Sequence, residues 1–260
     1  MKNDLMQRLL NNEAEFCAVH IGQHGFIFRI ADKIIAIDPY LTASEKRLIP
    51  PFVHAAEFEN VDIILGTHDH GDHIDRPSLA VMAAASQEAV FVFPQAVKSS
   101  ISEIPQTKII GINADESIEI KGVKITAIAS AHEFLDCTSD GLYPYLGYVI
   151  EYGGRTVYHS GDCCIYEGLQ SKLGKWHFDL IMLPINGRDA ERYLRNCIGN
   201  MTYQEAVDLA GAIDAEMVWP CHYDMFAGNL EDPELFKAYF NAKYPRRKTE
   251  FPPTGEVRML

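Results

Sequence analysis

The chain reads as an α/β layered domain, a mixed sheet arrangement covered by helices. Three observations predict it. Short apolar runs recur along the whole length, broken by turn residues. Amphipathic helical stretches alternate with them. Turn signals between some neighbouring runs mark hairpins, so the strands are not all parallel.

The apolar runs predict strands at Phe26 to Ile30, Ile34 to Ile37, Ile63 to Thr67, Val90 to Phe93, Val123 to Ala129, Tyr145 to Glu151, Thr156 to His159, Leu180 to Leu183 and Met217 to Pro220. Ala31-Asp32-Lys33 joins the first two, and Gly153-Gly154 reads as a hairpin turn. Helices are expected at Pro77 to Ala85, Tyr203 to Ile213 and Pro233 to Tyr244. Pro77 suits a first helical position, and Thr202 with Glu205 has capping-box spacing. No linker or low-complexity tract divides the 260 residues, so residues 1–260 are expected to form one domain.

The formal charge of −13 argues against a nucleic-acid partner, since phosphate backbones need a net basic footprint. It does not exclude a small anionic substrate held by a local cation cluster. The start, Met1-Lys2-Asn3-Asp4-Leu5, leads into no long apolar segment, so neither a signal peptide nor a membrane partner is expected. The six cysteines, two of them adjacent (Cys163 and Cys164), form no CxxC pair and no disulfide framework. They fit a reducing, cytoplasmic setting. Homo-oligomerisation is left open.

The chemistry concentrates at Gly66-Thr67-His68-Asp69-His70-Gly71-Asp72-His73, an HxHxDH run directly after the apolar stretch Val61 to Leu65. Three further apolar runs end on metal-capable side chains: His132, Asp162 and His222. Loops beyond strand ends are fixed by the sheet and commonly carry sites. The seven residues His68, His70, Asp72, His73, His132, Asp162 and His222 exceed what one ion uses and suit two divalent ions sharing a bridging carboxylate. Imidazole with carboxylate fits zinc, manganese or iron without choosing among them. His68 and His70, two apart, face one way in an extended segment; Gly71 lets the backbone re-aim Asp72 and His73.

Each reading has a plainer rival. His132 alone is an ordinary loop histidine, and Asp162 after Ser160-Gly161 is a turn aspartate. His20, His24, His54, His159 and His177 are structural by default, with His24 and His159 the exceptions expected near the site. Cys221 and Cys163 are expected in the core. Arg188, Arg192 and Arg195 share a face if their segment is helical and, with Asn186, could anchor a phosphate or carboxylate. The competing reading, narrowly preferred, is a solvated face balanced by Asp189 and Glu191. Arg76 is a further candidate anchor.

The order HxHxDH, His132, Asp162, His222 resembles the metallo-β-lactamase superfamily. Gly22-Gln23-His24-Gly25-Phe26 and Ile37-Asp38-Pro39-Tyr40 look like that superfamily's first strand pair. The resemblance implies a four-layer αββα sandwich with a binuclear site at one edge. It also implies a hydroxide bridging the two ions as nucleophile, and Asp38 orienting the site. It supports assigning His68, His70 and His132 to one metal and Asp72, His73 and His222 to the other, with Asp162 bridging. Asp72 and Asp162 are the candidate catalytic carboxylates. Tyr158-His159-Ser160-Gly161-Asp162 and the stretch from Asn186-Gly187-Arg188 to Met201-Thr202 are similar to the L-ascorbate-6-phosphate lactonase branch, whose typical chains are longer. That likeness implies a small-molecule substrate, a phosphorylated sugar lactone such as L-ascorbate 6-phosphate. A phosphodiesterase or other esterase of the same fold is the alternative, a di-iron redox protein a more distant one. A non-catalytic binding module would normally lack one or more ligands, whereas all seven are present.

Overall fold

The computed structural model describes residues 5–247 and 249–260. Met1 to Asp4, part of the expectation about the N-terminus, lie outside the described residues. The strands are β1 (Phe16–Gly22), β2 (Gly25–Ile30), β3 (Lys33–Ile37), β4 (Ile63–Leu65), β5 (Val90–Pro94), β6 (Ile109–Ile112), β7 (Ser117–Ile120), β8 (Val123–Ala129), β9 (Leu146–Tyr152), β10 (Arg155–His159), β11 (Phe178–Pro184), β12 (Ala215–Cys221) and β13 (Arg258–Met259). The helices are α1 (Leu5–Leu10), α2 (Arg76–Ala85), α3 (Gln95–Lys98), α4 (Leu169–Leu173), α5 (Ala190–Leu194), α6 (Tyr203–Ala212) and α7 (Pro233–Lys243).

The strands form two mixed sheets, one in the order β13-β1-β2-β3-β4-β5-β6 and the other β12-β11-β10-β9-β8-β7. Strict alternation along the strands builds the layers. In β1, Phe16 and Ala18 face the core between the sheets, while Cys17 and Val19 face outward onto α1 and α2. The inter-sheet core joins Phe26, Phe28, Ile63 and Leu65 from one sheet to Ile125, Tyr148, Leu180 and Trp219 from the other. Outside the second sheet, Ile181 and Val218 pack on Leu169, Val207, Phe236 and Phe240 of α4, α6 and α7. The result is the expected αββα sandwich.

Thr202 and Glu205 do cap α6 reciprocally, and Gly153-Gly154 does turn between antiparallel β9 and β10. Pro77 sits second, because α2 begins at Arg76. The expected strand from Ile63 to Thr67 stops at Leu65, since Thr67 leaves the ladder to bond Asp38. Strands β1, β6, β7 and β13 were not expected. β1 is buried along its whole length, so its sequence does not alternate; β7 is a half-exposed edge carrying Ser117 and Glu119.

What the fold does for the site is collect strand ends. β3 and β4 run parallel, and β10, β11 and β12 run parallel. β8 reaches the same direction as β10 through antiparallel β9. Their C-terminal ends therefore open on one edge. The sheets are tied there by Leu146 N–H to the Thr67 carbonyl at 3.0 Å and by the Tyr148 hydroxyl to the Gly66 carbonyl at 2.9 Å.

Candidate metal centre

The loop after β4 carries His68, His70, Asp72 and His73 across to α2. Its exit is fixed by Asp75, whose carboxylate accepts from the Leu41 and Thr42 N–H groups, the Thr42 hydroxyl and the Ser78 hydroxyl. His132 follows β8, Asp162 follows β10 and His222 follows β12. All seven expected ligands meet at this edge. His68, His70 and His132 bring one donor atom each within 4.8 Å of one another, and so do Asp72, His73 and His222.

Asp162 lies between the two groups. Its Oδ1 is 3.3 Å from His73 Nε2, and its Oδ2 is 3.2 Å from His222 Nε2 and 3.8 Å from His132 Nε2. Asp38, fully buried at the end of β3, accepts from Thr67 N–H at 2.8 Å, from the Thr67 hydroxyl at 2.7 Å and from His73 Nδ1–H at 2.6 Å. With its own proton given to Asp38, the Thr67 oxygen accepts from His68 Nδ1 at 3.1 Å. With an ion bound, both rings would then present an unprotonated Nε2 to the centre, the tautomer a metal ligand needs.

The donor set fits divalent ions. His73 Nε2 is buried without a hydrogen-bond partner, an atom that a metal would satisfy. Burial by itself pushes the His73 pKa down, yet Asp162, Asp38 and Asp72 together hold it up at about 10. Three carboxylates around one imidazole thus demand positive charge. Burial would raise Asp162 too, but His222 and His73 keep it well below the usual carboxylate range. His68 goes the other way, lowered by burial and by neighbouring His73.

Two further histidines lie beneath. His24 Nδ1 is 3.1 Å from Asp162 Oδ1, and His159 Nε2–H donates to the His24 carbonyl at 2.8 Å. Burial lowers both to about 3, so they are neutral spacers. Cys221 packs between the sheets and Cys163 against the α4–α7 layer.

Above the centre opens a cavity of about 850 Å³. His70, Asp72, His132, Asp162 and His222 form its floor, with Leu48, Phe134, Tyr145, Ile198 and Phe226 around the wall. Its cationic lining residues are Lys46 and Arg195, set against Glu45, Glu133 and Asp136. The anion anchor, the less favoured of the two readings, is not assembled, and Arg192 and Arg195 pair instead with Asp189 and Glu191, as the solvated-face reading expects. α5 spans only Ala190–Leu194, capped by Asp189, so Arg188 precedes the helix and shares no face with Arg192 and Arg195. Arg188 pairs with Glu205 at 2.7 Å. Arg192 binds Asp189 and the Leu230 carbonyl. Asn186 is fully buried against Asn200 and Asn229. Arg76 is held by Asp69 and Glu103. Only Arg195 of the five anchor candidates lines the cavity.

Sequence reading missed Tyr145 as a site residue; its ring lies 5.3 Å from that of His68 and 5.0 Å from that of His132. It also missed Gln23, whose side-chain amide donates to Asp72 Oδ2 at 2.7 Å. A polar residue inside the apolar β1–β2 hairpin was the available signal.

Fold and site together define an αββα protein with a histidine–aspartate cluster at one sheet edge that could hold metal ions. The family model described as the beta-lactamase superfamily domain matches residues 33–223, and the chain belongs to that superfamily. A metal-dependent hydrolase of Thermococcus onnurineus is 31% identical over 214 residues, 80% of this chain and 85% of the relative. Among solved structures, Igni18, a metallo hydrolase from Ignicoccus hospitalis, superposes with a TM-score of 0.71 at 22% identity, covering 94% of this chain and 97% of that one. The di-iron β-hydroxylase CmlA from Streptomyces venezuelae gives a TM-score of 0.71 at 14% identity, over 96% of this chain and 54% of that one. Both structural likenesses show the fold alone. Among the described residues, no helix is long and apolar enough to cross a membrane.

Proposed function

We propose that the protein is a metal-dependent hydrolase with two ion positions, acting on an ester or lactone that carries an apolar substituent. The observation that carries this reading is two donor triads flanking one carboxylate, Asp162, at the floor of a cavity of ligand size. His68, His70 and His132 would hold one ion, and Asp72, His73 and His222 the other, with Asp162 between them. Divalent ions, if bound there, would lower the pKa of a coordinated water and polarise the substrate oxygen. Asp38 and Thr67 fix the ring orientations of His73 and His68. Burial raises the Tyr145 hydroxyl pKa, so the neutral phenol is available to donate to a substrate oxygen.

Leu48, Phe134, Ile198 and Phe226 favour an apolar group in the wall of the cavity. A phosphorylated sugar lactone needs a cationic cradle, and Arg188 and Arg192 are committed elsewhere, leaving Arg195 and Lys46 among three acidic side chains. A phosphodiester is disfavoured on the same ground. The finer lactonase reading is therefore kept for the bond cleaved, and the phosphorylated substrate is set aside.

The test is a hydrolysis screen of purified, metal-analysed protein on esters and lactones of graded chain length, a phosphorylated lactone and a phosphodiester. The expected result is a kcat/KM that rises with apolar length and falls about tenfold or more in Phe134→Ser. A preference for the phosphorylated lactone that drops in Arg195→Ala would overturn the substrate class. Full turnover by verified metal-free His70→Ala or Asp162→Ala would overturn the hydrolytic mechanism itself.

A further inference from the structure

We infer that Gln23 is a positioning residue for one of the two ion positions, that of Asp72, His73 and His222. The inference rests on the two-position reading above. Gln23 sits in the β1–β2 turn and is almost fully buried. Its side-chain nitrogen lies 2.7 Å from Asp72 Oδ2 and 3.0 Å from His222 Nε2. Asp72 accepts from the amide and His222 lies beside it, and the two belong to one triad; His68, His70 and His132 make no hydrogen bond to Gln23.

Asp72 depends on this contact. It follows Gly71, around which there is open space, and its side chain is itself only partly buried. Among the described residues the Gln23 amide provides its only hydrogen bond within 3 Å. The imidazoles nearest it lie at 3.6 Å (His73) and 3.8 Å (His222). An N–H donor to Oδ2 selects the rotamer of Asp72 and leaves Oδ1 as the less encumbered oxygen.

Gln23 itself is built into place. Its φ is +56°, a left-handed conformation unfavourable for a non-glycine residue. The turn is held by Gln23 N–H to Asp224 Oδ1 at 2.9 Å, by His20 Nε2–H to the Gln23 carbonyl at 3.1 Å and by His222 N–H to the same carbonyl at 2.6 Å. Asp224 is in turn bonded by the Thr254 hydroxyl at 3.0 Å. Backbone conformations of this kind persist only where their surroundings over-determine them. Here the outcome is an amide aimed at two donor atoms of one triad. Supports of this kind are worth about 10–100-fold in metal affinity.

The test is a titration of the wild-type chain, Gln23→Met and Gln23→Ala with zinc. Calorimetry and metal analysis give the stoichiometry, and thermal melting reports on the fold. Gln23→Met keeps the length and removes the N–H donor, while Gln23→Ala guards against poor packing of the thioether. Wild type is expected to bind two ions. Both variants are expected to keep one at wild-type affinity and to bind the other about 10–100-fold more weakly. His132→Ala, which weakens the opposite position, should lose the phase that the Gln23 variants retain. Two ions bound at wild-type affinity in both variants would overturn the role of Gln23 and leave the two-position reading standing. Equal weakening of both phases with a lower Tm would make Gln23 merely structural. A single ion in wild type would overturn both readings.

Discussion

Replacing Asp38 by Asn isolates what one buried carboxylate does for the metal centre. Asp38 is fully buried and accepts three hydrogen bonds, all from donors: Thr67 N–H, the Thr67 hydroxyl and His73 Nδ1–H. Asparagine keeps the volume and tolerates the left-handed backbone at φ +46°. Its NH2 group, however, cannot accept. If it faces His73, the imidazole must move its proton from Nδ1 to Nε2. Nε2 is the atom 3.3 Å from Asp162 and 3.6 Å from Asp72, the one that would bind an ion. If the amide flips, two N–H groups oppose each other at Thr67. The loss is one charge-assisted hydrogen bond and the ligating tautomer. The expected cost is about 10–100-fold in metal affinity, or about 1.4–2.8 kcal/mol. Competition with a chromophoric chelator measures it, and a melting curve checks the fold. An Asp38→Asn variant that holds metal at wild-type affinity would refute the tautomer argument.

Two further outcomes test the scaffold. A Cβ added at Gly147 in β9 would lie 2.7 Å from the His159 carbonyl and 2.8 Å from that of Ser160, both backbone atoms leading to Asp162. Gly147→Ala should cost about 1–3 kcal/mol, read as a Tm lowered by about 2–4 °C per kcal/mol; an unchanged Tm would show that β10 yields freely. For Glu205, burial raises the carboxyl pKa, but the Arg188 pair and the Thr202 N–H outweigh it, and the net shift is downward. Its contribution is therefore present above the ordinary carboxylate pKa and lost as pH falls through the lowered folded value. The pair is half exposed, so Arg188→Ala should destabilise by about 1 kcal/mol or less. The Tm gap to wild type should be full at neutral pH and narrow as pH falls below the ordinary carboxylate range, and a gap unchanged by acidification would contradict the assignment.

How much was legible depends on where the information lies. The HxHxDH run could be read as one cluster because its candidate donor side chains are nearly contiguous. His132, Asp162 and His222 could be read because each ends an apolar stretch, and a sheet brings parallel strand ends to one edge. The shared arginine face did not form because the i, i+4, i+7 spacing presumes a helix through Arg188. Asp189 is instead the cap, accepting from Arg192 N–H at 2.8 Å, and the helix starts after it. Glu205 then captures Arg188 from α6, a partner 17 residues away that no local pattern exposes.

The residues that shape the centre were hidden for a related reason. Gln23, Asp38 and His222 all hold left-handed backbone, at φ +56°, +46° and +59°. Of these, aspartate and histidine are enriched in that region and glutamine is not, but enrichment by itself does not locate a bend in the sequence. Each bend is sustained by a bond from another part of the fold. Asp38 N–H reaches the Leu65 carbonyl at 2.9 Å, His222 N–H the Gln23 carbonyl, and Gln23 N–H the Asp224 carboxylate. Each bend stands where a strand ends, and there it redirects a side chain that would otherwise continue the inside–outside alternation. The ligand list is thus a property of the sequence, but the aim of the ligands is a property of the assembled sandwich. That is why variants at Gln23 and Asp38, neither of them a ligand, are the sharper probes of how this centre works.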